Sequence, residues 1–257
     1  MSDLFSIKDK VALVTGGSRG IGLMIVRGYV EAGAKVYVSS RKREACDEVA
    51  AELSKVGACI SVPADCGTQA GCEALAQAVG ERESALHILV NNAGANWGAP
   101  LTEYPDSAWD KVLALNVKAI FHLTRACLPM LRAAATPADP ARVINIGSID
   151  GLRVPVLETY AYSSSKAAAL HLTRVLAIRL APDHITVNAV APGPFESKMM
   201  QETLERFRDA ILGSCPLGRI GEPDDMAGVA IYLASRAGAY VTGAVIPVDG
   251  GITVAPS

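Results

Sequence analysis

VALVTGGSRGIG, residues 11–22, joins an apolar run of strand length to a glycine-rich turn and the start of a helical pattern. Gly16, Gly20 and Gly22 permit a tight turn, close approach of the backbone to a pyrophosphate and close packing of the following helix. Amide groups at the N-terminus of that helix favour anions. The stretch predicts a strand, turn and helix that bind a dinucleotide, although an ordinary glycine-rich loop is the simpler alternative.

The same alternation of strand and helix continues to the end of the chain. Further apolar runs occupy residues 36–40, 59–65, 87–92, 142–148, 185–193 and 243–251, with amphipathic stretches between them. Parallel strands need crossover helices, and those helices cover both faces of the sheet. The sequence therefore predicts an α/β, doubly wound Rossmann fold with seven mainly parallel strands. The loop at 135–142 has ordinary length, so we expect one domain over residues 1–257.

Composition excludes several classes of function. The formal charge is −2 and no long basic run occurs, which disfavours nucleic acid as a partner. No apolar run approaches the roughly 18 residues of a membrane helix, and the N-terminus lacks a signal-like apolar core, so we expect a cytoplasmic protein with no membrane contact. The six cysteines and four histidines lack metal-ligand spacing, which predicts packing or surface roles and no metal.

The end of the second predicted strand indicates which dinucleotide binds. NAD-binding folds place an acidic residue there for the ribose 2′-hydroxyl, whereas a 2′-phosphate requires a cation. This chain has Ser39, Ser40, Arg41 and Lys42, and Arg19 lies in the glycine turn. An arginine can present a bidentate fork to phosphate. The pattern predicts NADP(H), with solvated surface charges as the alternative.

A tyrosine and a lysine in TYAYSSSKAAAL, residues 159–170, predict the chemistry. Tyr162 and Lys166 are four apart, about 40° around a helix, whereas Tyr160 is about 120° from the lysine. An ammonium beside a phenol lowers the phenol's pKa, so we expect Tyr162 to protonate a carbonyl oxygen while hydride reaches the carbon. Ser148 ends a strand at the same edge and can donate to that oxygen. Alone, such a pair is common by chance, and a pair on a surface helix is the default interpretation.

Together these motifs resemble the short-chain dehydrogenase/reductase family from end to end. TGGSRGIG, NNAG at 91–94, the Tyr162–Lys166 pair and Pro192-Gly193 match its ordered motifs. The resemblance implies that Tyr162 is the acid/base, Ser148 the carbonyl partner, Lys166 a ribose contact and Asn116 the holder of a proton-relay water. It also implies cofactor contacts at Gly16, Ser18, Arg19, Gly20, Ile21, Gly22, Arg41, Asp65 (adenine), Asn92, Ala93, Gly94, Tyr162, Lys166, Pro192, Gly193 and Ser197.

The substrate is less clearly indicated. NNAGANWGAPLTEYP, TYAYSSSKAA and YVTGAVIPVDGG are most similar to NADPH-dependent 3-oxoacyl-thioester reductases of the rhamnolipid-biosynthesis type. The resemblance implies a substrate lid around residues 194–215. Its apolar stripe, at Met200, Leu204, Phe207 and Ile211, is typical of core packing as much as of a lid. Apolar loop residues, at Trp97, Leu152, Val154 and Val156, could line the substrate site.

The carrier of the substrate and the assembly stay open at this point. Relatives that act on acyl carrier protein often present basic residues before the fifth strand, where this chain has Ala133-Ala134-Ala135-Thr136. This weakens the carrier-protein assignment and leaves a coenzyme A thioester or a free ketone. The alternatives are a dehydrogenase of small alcohols, polyols or steroid-like ketones, and a nucleotide-sensing regulatory protein. The resemblance implies a homotetramer built on helices around 108–132 and 161–180 and on the last strand.

Overall fold

A parallel sheet forms the centre of the molecule in the computed structural model, which describes residues 4–197 and 200–255. Its strands are β1 (Val11–Thr15), β2 (Lys35–Ser39), β3 (Cys59–Ser61), β4 (Ile88–Asn91), β5 (Ala141–Ile146), β6 (Ile185–Pro192) and β7 (Val245–Val248). The helices are α1 (Gly20–Glu31), α2 (Arg43–Leu53), α3 (Gln69–Gly80), α4 (Asp106–Leu113), α5 (Ala119–Ala134), α6 (Tyr160–Leu180), α7 (Gln201–Ser214) and α8 (Pro223–Ala234).

The strand order is β3-β2-β1-β4-β5-β6-β7, and each described pair is parallel. The order reverses between β1 and β4, so the loops after these strands diverge and leave a crevice at the carboxyl edge of the sheet. The predicted doubly wound fold with seven strands is confirmed.

Alternate residues of the inner strands enter two separate cores. Ala12 and Val14 of β1 pack with apolar residues of α1, α2 and α8. Val11 and Leu13 pack on the other face with α3, α5 and the end of α6. The inner strands β1, β4, β5 and β6 are buried on both faces, which explains why their sequences are mainly apolar runs rather than alternating ones, whereas the edge strands β3 and β7 are only partly buried.

Several element boundaries differ from the sequence prediction. The predicted third strand at 59–65 ends at Ser61, although the amides of Val62 and Ala64 still donate to the carbonyls of Val38 and Ser40, at 2.9 and 3.1 Å. The predicted long helix at 108–132 is part of a longer helical stretch that runs from α4 to α5. A π-helical turn at Ala114–Lys118 joins the two helices. A π turn adds a residue to the helix and commonly occurs at functional sites.

All six cysteines are buried and free, as the packing interpretation predicts. Within residues 4–197 and 200–255, no helix is both long and apolar enough to cross a bilayer. In the same part of the chain, no group of three or more His, Cys, Asp or Glu side chains could hold a metal ion.

Candidate active site

A crevice at the carboxyl edge gathers most of the predicted cofactor residues. Those lining it are Gly16, Ser18, Arg19, Gly20, Ile21, Gly22, Arg41, Asn92, Ala93, Gly94, Tyr162, Lys166 and Ser197. Three others lie outside its lining, namely Asp65, Pro192 and Gly193. Asp65 is exposed and its carboxylate accepts a hydrogen bond from the Gly67 amide at 3.0 Å, while its neighbours Ala64 and Cys66 line the crevice.

The backbone of the glycine turn adopts conformations that glycine takes up readily and other residues rarely do. Gly16 and Gly20 have φ values of +65° and +52°, in the left-handed region that favours glycine. A Cβ on Gly22 would lie 2.3 Å from the carbonyl oxygen of Gly16 and 2.4 Å from Nδ2 of Asn92. Any side chain at position 22 would therefore push the start of α1 away from the crevice.

Thr15 joins the glycine turn to the loop after β4, a role that the sequence motifs alone did not reveal. Its Oγ1 accepts hydrogen bonds from the backbone amides of Asn92 and Ala93, at 3.0 and 3.1 Å. The Asn92 side chain donates to the carbonyls of Thr15 and Gly16, at 2.9 and 3.1 Å. The loops after β1 and β4 are thus held together by hydrogen bonds.

The far end of the crevice has cationic and hydroxyl groups. Ser39, Ser40, Arg41 and Lys42 line it, and no carboxylate occurs among the described lining residues. The Ser39 hydroxyl is buried and has no hydrogen-bond partner in the described part of the chain. Buried atoms of Ser61, His122, Arg142 and Thr186 are also without a partner among the described residues, so the hydroxyl alone does not mark a ligand position.

Ser148, Tyr162 and Lys166 meet at the other end of the crevice. Ser148 is buried, and its Oγ accepts a hydrogen bond from the Asp150 amide at 3.1 Å. Tyr162 lines the crevice and its hydroxyl interacts with that of Ser148. The Nζ of Lys166 lies 5.5 Å from the centre of the Tyr162 ring. Tyr160 points elsewhere, as predicted, and donates to Glu158 at 2.6 Å.

The expected lowering of the Tyr162 pKa is wrong for this arrangement. Burial raises the pKa of Tyr162 to about 12, and the Ser148 hydroxyl offsets only part of that rise. The Lys166 ammonium faces the ring and donates to the carbonyl of Ile146 at 2.8 Å. Burial lowers the pKa of Lys166 to about 8. Spacing on a helix could place the two side chains on one face but could not reveal how strongly both are desolvated.

Asn116 lies in the π turn and connects the site to its surroundings. Its side chain exchanges two hydrogen bonds with the backbone of Ala95, at 2.8 and 2.9 Å, and its Nδ2 also donates to Ser165 Oγ at 2.9 Å. Both amide hydrogens are therefore used within the protein. The arrangement makes Asn116 a structural link beside Lys166; a water-holding role stays a prediction.

The predicted lid has mixed character. Ser197 lies against Gly20, whose added Cβ would be 3.1 Å from the Cβ of Ser197. Along α7 the stripe is buried at Leu204, but Phe207 is 47% exposed at a kink of the helix. The predicted stripe segment began at Met199, which with Lys198 lies outside the described residues. The stripe thus has a buried residue at Leu204 and an exposed one at Phe207, and the lid stays a prediction.

Comparisons with known proteins agree along the whole chain. The family model described as Enoyl-(Acyl carrier protein) reductase matches residues 16–253. A rhamnolipids biosynthesis 3-oxoacyl-[acyl-carrier-protein] reductase of Pseudomonas aeruginosa is 50% identical over 98% of this chain and 99% of its own length. The chain belongs to the short-chain dehydrogenase/reductase family. The predictions of that family and of an oxidoreductase are confirmed.

Solved structures extend the likeness of this short-chain dehydrogenase/reductase. A Pseudomonas aeruginosa RhlG/NADP active-site complex matches with a TM-score of 0.95 and 49% identity, covering 99% of this chain and 100% of that one. A gluconate 5-dehydrogenase from Burkholderia cenocepacia, in complex with NADP and tartrate, matches with a TM-score of 0.92 and 31% identity, covering 99% of both chains.

Proposed function

We propose that this protein is an NADPH-dependent reductase that converts the ketone of a 3-oxoacyl thioester to a secondary alcohol. The observation that carries the proposal is the Tyr162 hydroxyl beside that of Ser148, at the inner end of a crevice fit for a dinucleotide. The 50% identity to a 3-oxoacyl reductase supports the choice of substrate class.

The crevice fits NADP(H). The glycine turn leaves backbone amides at the start of α1 for a pyrophosphate, because Cβ atoms there would collide with Gly16 and Asn92. Arg41 and the unpaired Ser39 hydroxyl suit a 2′-phosphate. When bound, the reduced nicotinamide supplies the hydride.

The chain's own residues supply the proton and hold the ketone. We assign Ser148 as a hydrogen-bond donor to the ketone oxygen and Tyr162 as the acid that protonates it. With a pKa of about 12, the Tyr162 hydroxyl is fully protonated at neutral pH and therefore available to donate. Lys166, which is mainly charged at neutral pH, stabilises the tyrosinate that is left after the transfer.

An apolar rim supports an acyl substrate. Between Ser148 and Tyr162 the loop carries Leu152, Val154, Val156 and Leu157, and the two valines are 90% and 93% exposed. Exposed apolar residues beside a site favour an alkyl chain over a polyol. The relative's name favours a carrier-protein thioester, whereas the uncharged 133–136 segment favours coenzyme A. The homotetramer and the cytoplasmic location stay predictions.

NADPH oxidation with a panel of substrates tests this function. We expect turnover with acetoacetyl-CoA, a longer 3-oxoacyl-CoA and the matching carrier-protein thioester, and little with free ketones or gluconate-like polyols. Crotonyl-CoA tests the reduction of a carbon–carbon double bond, the reaction that the family description names. Preference for the polyols or crotonyl-CoA contradicts the proposal. NADPH binding without turnover on any substrate would favour a sensor.

A further inference from the structure

The helix that carries Tyr162 begins without a cap from its own sequence. The first amides of a helix have no partner within it, and the N-cap side chain usually accepts from one of them. Thr159 is the N-cap of α6, yet its side chain makes no such bond. Instead, the amide of Ala161 donates to the hydroxyl of Tyr104 at 3.2 Å, from a residue 57 positions earlier in the chain.

The same hydroxyl holds the loop after β4. Tyr104 Oη donates to the carbonyl of Trp97 at 3.1 Å, so one oxygen connects the loop to α6. The ring is fixed by edge-on contacts with Tyr160 and Trp109, at centroid distances of 5.3 and 6.1 Å. These contacts limit the hydroxyl to a position from which it reaches both backbone groups.

A second connection joins the same two segments on the inner side. Asn116 binds the backbone of Ala95 and donates to Ser165 Oγ, and Ser165 Oγ donates to the carbonyl of Tyr162 at 2.6 Å. The loop is therefore attached to α6 directly before Tyr162, through Tyr104, and at Tyr162 itself, through Asn116.

We propose that Tyr104 is a positioning residue, which caps α6 from outside the helix and couples the loop at Trp97 to the placement of the Tyr162 hydroxyl. The proposal rests on the proposed function for its catalytic consequence. A ketone between the loop and Tyr162 would be held by both. Loss of the cap would let the first turn of α6 fray and the Tyr162 hydroxyl depart from Ser148.

Tyr104→Phe tests this inference, because it removes the hydroxyl and keeps the ring. We expect kcat per NADPH-binding site to fall roughly five- to twentyfold, with KM for NADPH within about twofold of the wild type. Hydrogen exchange of the Ala161 amide, measured without substrate, should accelerate by a similar factor.

Tyr160→Phe is the matched control, since the Tyr160 hydroxyl bonds only the side chain of Glu158 among the described residues. It should leave kcat and Ala161 exchange within about twofold of the wild type. Faster Ala161 exchange in Tyr104→Phe with an unchanged kcat would overturn the positioning role. Unchanged exchange would overturn the cap. If the wild type reduces no ketone, the proposed function fails, while the exchange measurement still decides the cap.

Discussion

Buried cations have different partners at the amino and carboxyl edges of the sheet. At the amino edge, Lys10 and Arg142 both bind the carboxylate of Asp139, at 2.8 and 3.0 Å, and Arg142 is 0% exposed. At the carboxyl edge, the buried ammonium of Lys166 donates to the backbone carbonyl of Ile146; the Asp150 carboxylate attracts it, but no salt bridge joins Lys166 to a carboxylate in the described part of the chain. One edge pairs its charges within the protein, and the other leaves a charge available to a ligand.

The contrast does not extend to every neutral group. At the amino edge, the Tyr37 hydroxyl donates to Glu83, which also pairs with Lys35. The Ser39 hydroxyl at the carboxyl edge is buried without a partner in the described part of the chain, but so is the Thr186 hydroxyl at the start of β6, on the amino edge. The buried charges, rather than the hydroxyls, therefore distinguish the two edges.

The largest expected effect is at the carboxyl edge. Tyr162→Phe removes the proposed acid without changing the shape of the ring, and kcat for a 3-oxoacyl thioester should fall about a thousandfold. KM for NADPH should change by less than about twofold, and the urea midpoint should not fall. Steady-state kinetics and urea unfolding measure these quantities. A kcat within tenfold of the wild-type value would contradict the role of Tyr162 as the acid.

The next largest effect is at the amino edge. Asp139→Asn leaves Lys10 and Arg142 without their shared carboxylate, and the free energy of unfolding should fall by about 2–3 kcal/mol. The kcat of the folded enzyme should be unchanged. Asp183→Asn is the control, because its pair with Arg132 is more exposed and should contribute less than about 1 kcal/mol. Equal losses of unfolding free energy in the two variants would show that the buried cluster stabilises the fold no more than the exposed ion pair does.

A smaller effect tests the nucleotide end of the crevice. Arg41→Asp should raise KM for NADPH about 30-fold, because the carboxylate repels a 2′-phosphate, and should change KM for NADH by less than about threefold. Arg43→Asp is the control, since Arg43 is exposed at the start of α2 and does not line the crevice. Parallel changes in both Michaelis constants would reject the assignment of Arg41.

Local patterns predicted most of the fold and the catalytic pair. All seven strands contain apolar runs of strand length, the inner ones because they are buried on both faces, and four-residue spacing placed Tyr162 with Lys166. Contacts between distant segments left no local pattern. The Tyr104–Ala161 bond spans 57 residues and the Asn116–Ala95 bonds span 21, so neither could be predicted from spacing.

The direction of the Tyr162 pKa was wrong for a related reason. Helical spacing gives the angle between two side chains, but the pKa depends on all the groups that exclude water from them. The end of β5 and the loop at Gly94 lie beside the Lys166 ammonium, whose Nζ donates to the Ile146 carbonyl and would be 3.8 Å from a Cβ on Gly94. The loop at Gly151 packs against the backbone of Lys166, where a Cβ would lie 2.7 Å from the carbonyl carbon. Sequence located the pair, and only the packed fold determined its desolvation.

The smallest predicted effect concerns the unpaired lysine and the dependence of stability on pH. Burial lowers the pKa of Lys166 from 10.5 to about 8. Between these values the folded protein has released the proton and the unfolded chain retains it, so stability should increase as pH rises from about 8 to 10.5.

Lys166→Met removes this contribution. The free energy of unfolding of the wild type, relative to that of the variant, should therefore increase by about 2 kcal/mol between pH 7 and pH 10. Urea unfolding at several pH values measures the difference, in which Lys10 and the other titrating groups cancel. A difference independent of pH would mean that the charge of Lys166 is compensated as well as that of Lys10, and the contrast between the two edges would disappear.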